Sequence, residues 1–181
     1  MRGVVLVKFS EFIEEVWGDE FLDQIIVQAD LPSEGAYSAT MTYNDQELFD
    51  LVAQVVQEKQ ITVKEAQFAF GKWLFKELLA MAPKEAHTFT STFEFLHAVQ
   101  NFIHVEVKKL NPDSVLPEFT FLEQSENKLL LHYQSPRNLC FFCEGLIAGL
   151  SEHTGESVST RQTECVHCQD SRCVIEVTLH S

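Results

Sequence analysis

The sequence has few basic residues and no long apolar run, and each absence excludes a class of partner. Thirteen Lys and Arg residues stand against 27 Asp and Glu residues, so the formal net charge is −14 at pH 7. Nucleic acids and anionic membrane surfaces require a basic face, so we expect neither as a partner. No apolar run approaches the roughly 20 residues of a membrane span. The short apolar start precedes no small-residue cleavage site, so we expect no signal peptide and a cytoplasmic location.

The amino-acid composition is that of an ordinary globular protein. We expect a single domain over residues 1–181. Hydrophobic residues make up 45% of the chain and charged residues 22%, and there are no repeats or obvious linkers. Fifteen Phe residues imply a roomy aromatic core, which suits plain packing or the wall of a hydrophobic cofactor pocket.

The hydrophobic pattern changes near residue 112, and this change predicts an α+β fold. Helical spacing and capping-box pairs at Asn44–Glu47, Thr62–Glu65 and Ser91–Glu94 precede that point. They predict helices near residues 4–16, 19–29, 48–56, 62–78 and 91–110. Afterwards we expect a small antiparallel sheet of strands near 119–122, 129–133, 157–163 and 173–179, with one helix near 138–153 packed on it.

Two histidines lie on the apolar stripe of the helix predicted over residues 91–110. The expected buried positions, spaced three and four residues apart, are Phe93, Leu96, His97, Gln100, Ile103, His104 and Val107. A lone histidine on such a stripe is more often a core residue bonded to a carbonyl than a metal ligand. The pattern alone does not separate His97 from His104.

A Tyr-x-Ser-x-Arg triplet follows the second predicted strand. Tyr133, Ser135 and Arg137 alternate along the chain, so an extended segment would place them on one side. Two hydroxyl donors and a guanidinium fork together suit a carboxylate or a phosphate. A solvated strand end explains the triplet equally well when it is considered alone.

A histidine on an apolar helix some 30 residues before Tyr-x-Ser-x-Arg resembles the haem-nitric oxide/oxygen binding (H-NOX) family, related to the haem domain of soluble guanylate cyclase. The resemblance covers essentially the whole chain. It includes Met1-x-Gly3, His104-x-Glu106-x-x-Lys109, Pro117 and Glu144-Gly145-Leu146. It implies haem b between a helical part, about residues 1–62, and a sheet-bearing part, about 63–181.

The resemblance also implies the roles of individual residues. His104 matches the proximal iron ligand, and His97 matches no ligand, so we assign His97 to packing. Tyr133, Ser135 and Arg137 match the residues that hold the haem propionates, and Pro117 matches a proline that presses on the macrocycle. Oxygen-binding members carry a distal tyrosine five residues after the arginine. Phe142 stands there, and the neighbouring wall positions, Val5 and Leu146, are also apolar.

This apolar wall predicts a sensor that binds nitric oxide and carbon monoxide and excludes dioxygen. In the family, nitric oxide weakens the bond between the iron and the proximal histidine, and the histidine dissociates from the iron. Family members commonly regulate histidine kinases or cyclic-di-GMP enzymes. The chain ends just after the last predicted strand, so we expect such a partner to act in trans. A haem enzyme is less favoured, because the distal wall offers no acid–base group.

All five cysteines fall in the last 42 residues, which suggests a metal site or reduced thiols. Some family members bind zinc through cysteines matching Cys140, Cys165 and Cys173 plus a histidine, where this chain has Gln162. Cys165-x-x-Cys168 followed by Cys173 resembles half of a zinc site. We expect Cys168 as the fourth ligand, with Cys143 and His167 as competitors. The alternative function is therefore a haem-independent zinc or thiol redox sensor.

Overall fold

The computed structural model describes residues 1–180. The α-helices are α1 (Gly3–Trp17), α2 (Asp19–Ala29), α3 (Asp45–Lys59), α4 (Val63–Met81), α5 (Thr92–Ala98), α6 (His104–Leu110) and α7 (Cys140–Thr154). The strands are β1 (Glu118–Gln124), β2 (Lys128–Gln134), β3 (Ser157–Glu164) and β4 (Cys173–His180). A five-residue π-helical turn, Val99–Ile103, joins α5 to α6. Short 3₁₀ turns lie at Lys84–Thr88 and Val166–Cys168. The predicted α+β fold is confirmed.

The chain divides into two compact units, residues 1–70 and the residues from 71 onward. The division falls inside α4, close to the boundary near residue 62 that the family resemblance implies. Among the described residues, no helix is both long enough and apolar enough to cross a membrane.

The first unit is built around aromatic side chains from α1 and from the start of α4. Phe9 and Phe70 meet edge to face, with ring centroids 5.0 Å apart. The start of α4 carries the predicted capping box, in which the Thr62 amide donates to Glu65 Oε2 (2.8 Å) and the Glu65 amide donates to Thr62 Oγ1 (3.1 Å).

The capping pair at Asn44 forms only in part. Asn44 Oδ1 accepts from the Gln46 amide at 3.0 Å. The Glu47 side chain is buried and instead accepts from Tyr37 (3.2 Å) and from the Ser33 hydroxyl. The Glu47 carboxylate therefore bonds to the loop before α3 and does not complete the capping box.

The second unit contains an antiparallel sheet with strand order β1-β2-β4-β3, on which α7 packs. Alternate residues of the two central strands point into its core: Leu129, Leu131 and Tyr133 from β2, and Cys173, Ile175 and Val177 from β4. Buried Ile147 and Leu150 of α7 belong to the same core. Strands β1 and β3 form the two edges of this sheet.

The long helix predicted over residues 91–110 is observed as one helical segment from Thr92 to Leu110, but it contains a π turn that the sequence pattern did not predict. The chain forms α5, the π turn and α6 in succession, and Ser91 makes no side-chain capping bond. Phe93 and Leu96 are buried as expected, but the rest of the predicted stripe, from His97 to Val107, is only half-buried. The difference has a tertiary cause, because side chains of this segment bond to β1, as described below.

Helix α7 also begins later than predicted. Asn138 has φ 51°, in the left-handed region, so it belongs to the turn before the helix, and α7 starts at Cys140.

Candidate functional site

His104 is the first residue of α6 and directly follows the π turn. Its side chain is half-buried, and its Nδ1 atom is buried without a hydrogen-bond partner. Burial lowers the pKa of His104 to about 4, while a backbone hydrogen bond with Pro117 acts in the opposite direction. The imidazole is therefore neutral near pH 7, and a neutral imidazole has a nitrogen lone pair for a metal ion.

The His104 ring lies against the beginning of β1. Its centroid is 5.7 Å from that of Phe119, and Phe119 pairs directly with Tyr133 across the β1–β2 ladder. The Phe119 and Tyr133 ring centroids are 6.1 Å apart. Since Pro117 immediately precedes β1, the fold brings His104, Pro117 and Tyr133 to one end of the sheet.

The Tyr-x-Ser-x-Arg triplet forms a local hydrogen-bonded group at the end of β2. Burial raises the pKa of Tyr133, and bonds from Ser135 and the Leu139 backbone oppose that effect. Ser135 Oγ accepts from the Arg137 amide at 3.2 Å. Arg137 Nη1 donates to the Val115 carbonyl at 2.6 Å, in the loop between α6 and β1. The donors are therefore close together and adjacent to the segment that carries Pro117.

The predicted distal residues lie in different units. Phe142 and Leu146 are one turn apart on α7 and are half-buried. Val5 is half-buried on α1, in the first unit. None of these three side chains has a hydrogen-bond donor.

Three of the candidate zinc ligands come together. The sulfurs of Cys140, Cys165 and Cys173 all lie within 4.8 Å of one another, and all three residues are buried. Cys140 and Cys165 are 3.8 Å apart at sulfur. Burial raises the pKa of Cys140, so this thiol stays protonated at neutral pH without a cation.

The residues considered for the fourth position lie outside this cluster. Cys168 is exposed, and Cys143 is buried but does not belong to the group of three. His167 bonds to the Asn138 carbonyl at 2.8 Å and stacks on Phe141. Gln162 donates to the buried Glu144 carboxylate at 2.8 Å, and its Oε1 has no hydrogen-bond partner.

Sequence reasoning missed two residues that shape the site. Gln100 Oε1 accepts from the Phe119 amide at 2.8 Å. A polar glutamine on an otherwise apolar stripe was the feature of the sequence that could have indicated this bond. Gly71 allows α4 to approach α7, because a Cβ there would lie 2.2 Å from the Phe142 carbonyl. A glycine inside a strongly helical segment was the signal for that close approach.

The fold and the site define an α+β domain that holds, beside a small sheet, a neutral imidazole whose buried Nδ1 has no hydrogen-bond partner. The chain belongs to the haem-NO-binding (HNOB) family, because the sequence model of that family matches residues 2–162. Among curated proteins, no sequence matches this chain.

Solved H-NOX structures are similar over the whole chain. The Fe(II)NO form from S. oneidensis shares 25% identity, with a TM-score of 0.92 and full coverage of both chains. The unliganded Fe(II) protein from K. algicida shares 26% identity, with a TM-score of 0.91, 100% coverage of this chain and 97% of the other. The IWP-051-bound Fe(II)CO form from Shewanella woodyi shares 35% identity, with a TM-score of 0.82 and coverages of 98% and 94%.

Proposed function

We propose that this chain is a haem-based nitric oxide sensor with His104 as the proximal ligand of a haem b iron. One observation carries the proposal. His104 is a neutral imidazole with a buried, unpartnered nitrogen, beside Phe119 and Pro117 at the end of the sheet that also carries the polar triplet. When bound, haem supplies a ferrous iron that takes up nitric oxide or carbon monoxide.

Side chains of this domain suit both the two carboxylates of haem and its apolar ring. Tyr133, Ser135 and Arg137 would supply donors for the two propionates, and Arg137 would exchange its bond to the Val115 carbonyl for one to a carboxylate. Pro117, which immediately precedes β1, would contact the macrocycle. Phe142 and Leu146 would supply an apolar lining for the bound gas, without a hydrogen-bond donor that favours dioxygen.

Signalling would consist of the release of His104 from the iron and a movement of α6, whose first residue is His104. This is a two-state element whose equilibrium is shifted by a ligand. The output passes in trans to a histidine kinase or a cyclic-di-GMP enzyme in the cytoplasm, and the chain has no catalytic role of its own. The net charge of −14 suits a basic docking face on that partner.

The test is the absorption spectrum of the reduced protein without gas and then with dioxygen, carbon monoxide and nitric oxide. We expect changes with carbon monoxide and nitric oxide and none with air. His104→Gly should lose the spectrum of an imidazole-ligated iron and regain it with added imidazole. His87→Gly is the control, because His87 is exposed. A colourless protein that cannot be reconstituted with haem contradicts the proposal.

The cysteine cluster favours a second candidate, a zinc or thiol redox sensor. Three buried sulfurs within 4.8 Å can hold a thiophilic ion. Oxidation of the metal-bound thiolates of Cys140 and Cys165 by a peroxide would form a disulfide and release the ion; the two electrons go to the peroxide and the two protons come from the solvent. Metal analysis of Cys165→Ala and Cys168→Ala tests this candidate. We expect the metal to be lost from the first variant, and its loss from the second would restore Cys168 as the fourth ligand.

A further inference from the structure

The segment that leads to His104 contains a π turn at Val99–Ile103, held on both sides by α-helix. A π turn adds one residue to the helical turn and is rare unless its surroundings stabilise it. Because His104 follows this turn directly, the turn sets the direction in which the imidazole points.

Side-chain contacts with β1 hold this segment at two points. His97, in α5, lies 2.8 Å from Gln124 Oε1 through its Nε2, and its ring centroid is 3.9 Å from that of Phe121. Gln100, in the π turn, accepts from the Phe119 amide at 2.8 Å. Both points are on β1, an edge strand of the sheet, where backbone groups need partners outside the ladder.

Phe119 connects this bond to His104. Its amide is bound by Gln100, and its ring is the one against which the His104 ring packs at 5.7 Å. Gln100 lies one turn before His104 on the same segment. The bond and the ring contact therefore fix the π turn and the imidazole to the same strand residue.

We infer that Gln100 is a positioning residue that sets the orientation of His104 through the Phe119 amide and opposes release of His104. This inference rests on the proposed function, because it concerns the bond between His104 and haem iron. Nitric oxide binding then has to break or strain the Gln100–Phe119 bond before α6 can move.

The variants separate the hydrogen bond from the bulk of the side chain. Gln100→Met keeps the length of the side chain but has no comparable acceptor, and Gln100→Glu keeps an acceptor for the Phe119 amide. Asn101→Met is the matched control, because Asn101 is an exposed residue of the same turn. Gln100→Ala is the second variant without an acceptor if Gln100→Met does not fold.

Two readouts are needed, and the first requires no haem. In the haem-free protein, hydrogen exchange at the Phe119 amide should be roughly two- to tenfold faster in Gln100→Met, as expected for one lost hydrogen bond. It should be unchanged in Asn101→Met and close to wild type in Gln100→Glu.

The second readout is the iron–imidazole stretching band of the reduced, haem-loaded protein. We expect a shifted or broadened band in Gln100→Met and a larger fraction of nitric oxide complex without a proximal ligand. Gln100→Glu should restore both properties. Unchanged Phe119 exchange, or faster exchange with an unchanged band, overturns the role of Gln100. A wild-type protein without any iron–imidazole band overturns the proposed function instead.

Discussion

At the scale of single residues, the two histidines of the α5–α6 segment show what a sequence pattern leaves open. Both fall on one expected stripe, and the periodicity does not distinguish them. In the structure, His97 is bonded to Gln124 and its ring packs against that of Phe121, whereas His104 keeps a buried nitrogen without a partner. The partners of His97 come from a strand more than 20 residues later, so helical spacing carries no information about them.

Phe142 should control the choice of gas. We expect Phe142→Tyr to give the ferrous protein a measurable dioxygen affinity, because a distal hydroxyl can donate to the partially negative outer atom of bound dioxygen. Carbon monoxide binding should change much less. Phe142→Leu is the control without a hydroxyl, and spectra under increasing oxygen pressure are the measurement. No dioxygen complex at any pressure, in a variant that still binds carbon monoxide, would contradict the distal position of Phe142.

Glu65 should make the stability of the first unit depend on pH. Hydrogen bonds from the Thr62 amide and hydroxyl lower the pKa of Glu65 below its ordinary value of 4.5. A lowered carboxyl pKa stabilises the folded state above the ordinary value, and this contribution is lost as the pH falls through the folded-state pKa. Glu65→Gln should therefore melt at a lower temperature than wild type at pH 7, with the difference shrinking below pH 4.5.

The control for this capping experiment is Glu94→Gln. Ser91 and Glu94 have the same spacing as Thr62 and Glu65, but Ser91 makes no side-chain capping bond. Thermal melts of both variants from pH 7 to pH 3 are the measurement. An equal pH-dependent loss in Glu94→Gln would show that the capping bonds are not the cause.

At the scale of helices and strands, local patterns predicted most elements and failed where tertiary contacts decide. The four strands and the start of α4 were anticipated because alternation and the Thr62–Glu65 pair are local features. The π turn was missed because Gln100 bonds to the Phe119 amide, a partner on another element. The start of α7 was missed because Asn138 adopts a left-handed conformation that the helical pattern of the following residues hides.

The crossing of α4 and α7 should depend on Gly149. An added Cβ there would lie 2.5 Å from the Phe75 Cβ and 2.7 Å from the Lys72 carbonyl oxygen, which is backbone and cannot move cheaply. Alanine gains about 1 kcal/mol of helix propensity over glycine. Overpacking costs about 1–3 kcal/mol, so we expect Gly149→Ala to lower the free energy of unfolding.

Denaturant unfolding measures this effect, and Gly155→Asn is the control on the same helix. Gly155 has φ 73° and open space around its Cβ position, and asparagine tolerates the left-handed conformation. We expect the control to cost only a few tenths of a kcal/mol, on the order seen for capping positions. A more stable Gly149→Ala protein would mean that α4 and α7 can separate without loss.

At the scale of the whole chain, hydrophobic periodicity predicted the fold class, whereas the candidate haem residues were predicted only through the family resemblance. The cysteine cluster joins Cys140 of α7 to Cys165 and Cys173 near the ends of β3 and β4. Spacing alone pointed to Cys168, because Cys165-x-x-Cys168 resembles half of a zinc site. The Val166–Cys168 turn instead leaves Cys168 exposed. Clusters of this kind depend on the register of strands, which spacing does not fix.

Haem should stabilise the whole folded chain by an amount that depends on His104. A ligand that binds only the folded state adds about 2.7 kcal/mol at 100 times its Kd. For a chain of this size each kcal/mol raises Tm by roughly 2–4 °C. We therefore expect a clear rise in Tm with haem, a smaller rise in His104→Ala, and a wild-type rise in the exposed-histidine control His87→Ala.

Iron-free protoporphyrin separates the iron bond from the rest of the pocket. It keeps the apolar disc and both carboxylates, so Tyr133, Ser135 and Arg137 can still bind it, but His104 has no iron to ligate. The rise in Tm should then be equal in wild type and in His104→Ala. If haem itself raises Tm equally in both proteins, His104 does not hold the iron, and the stabilisation comes from the pocket and the carboxylate contacts alone.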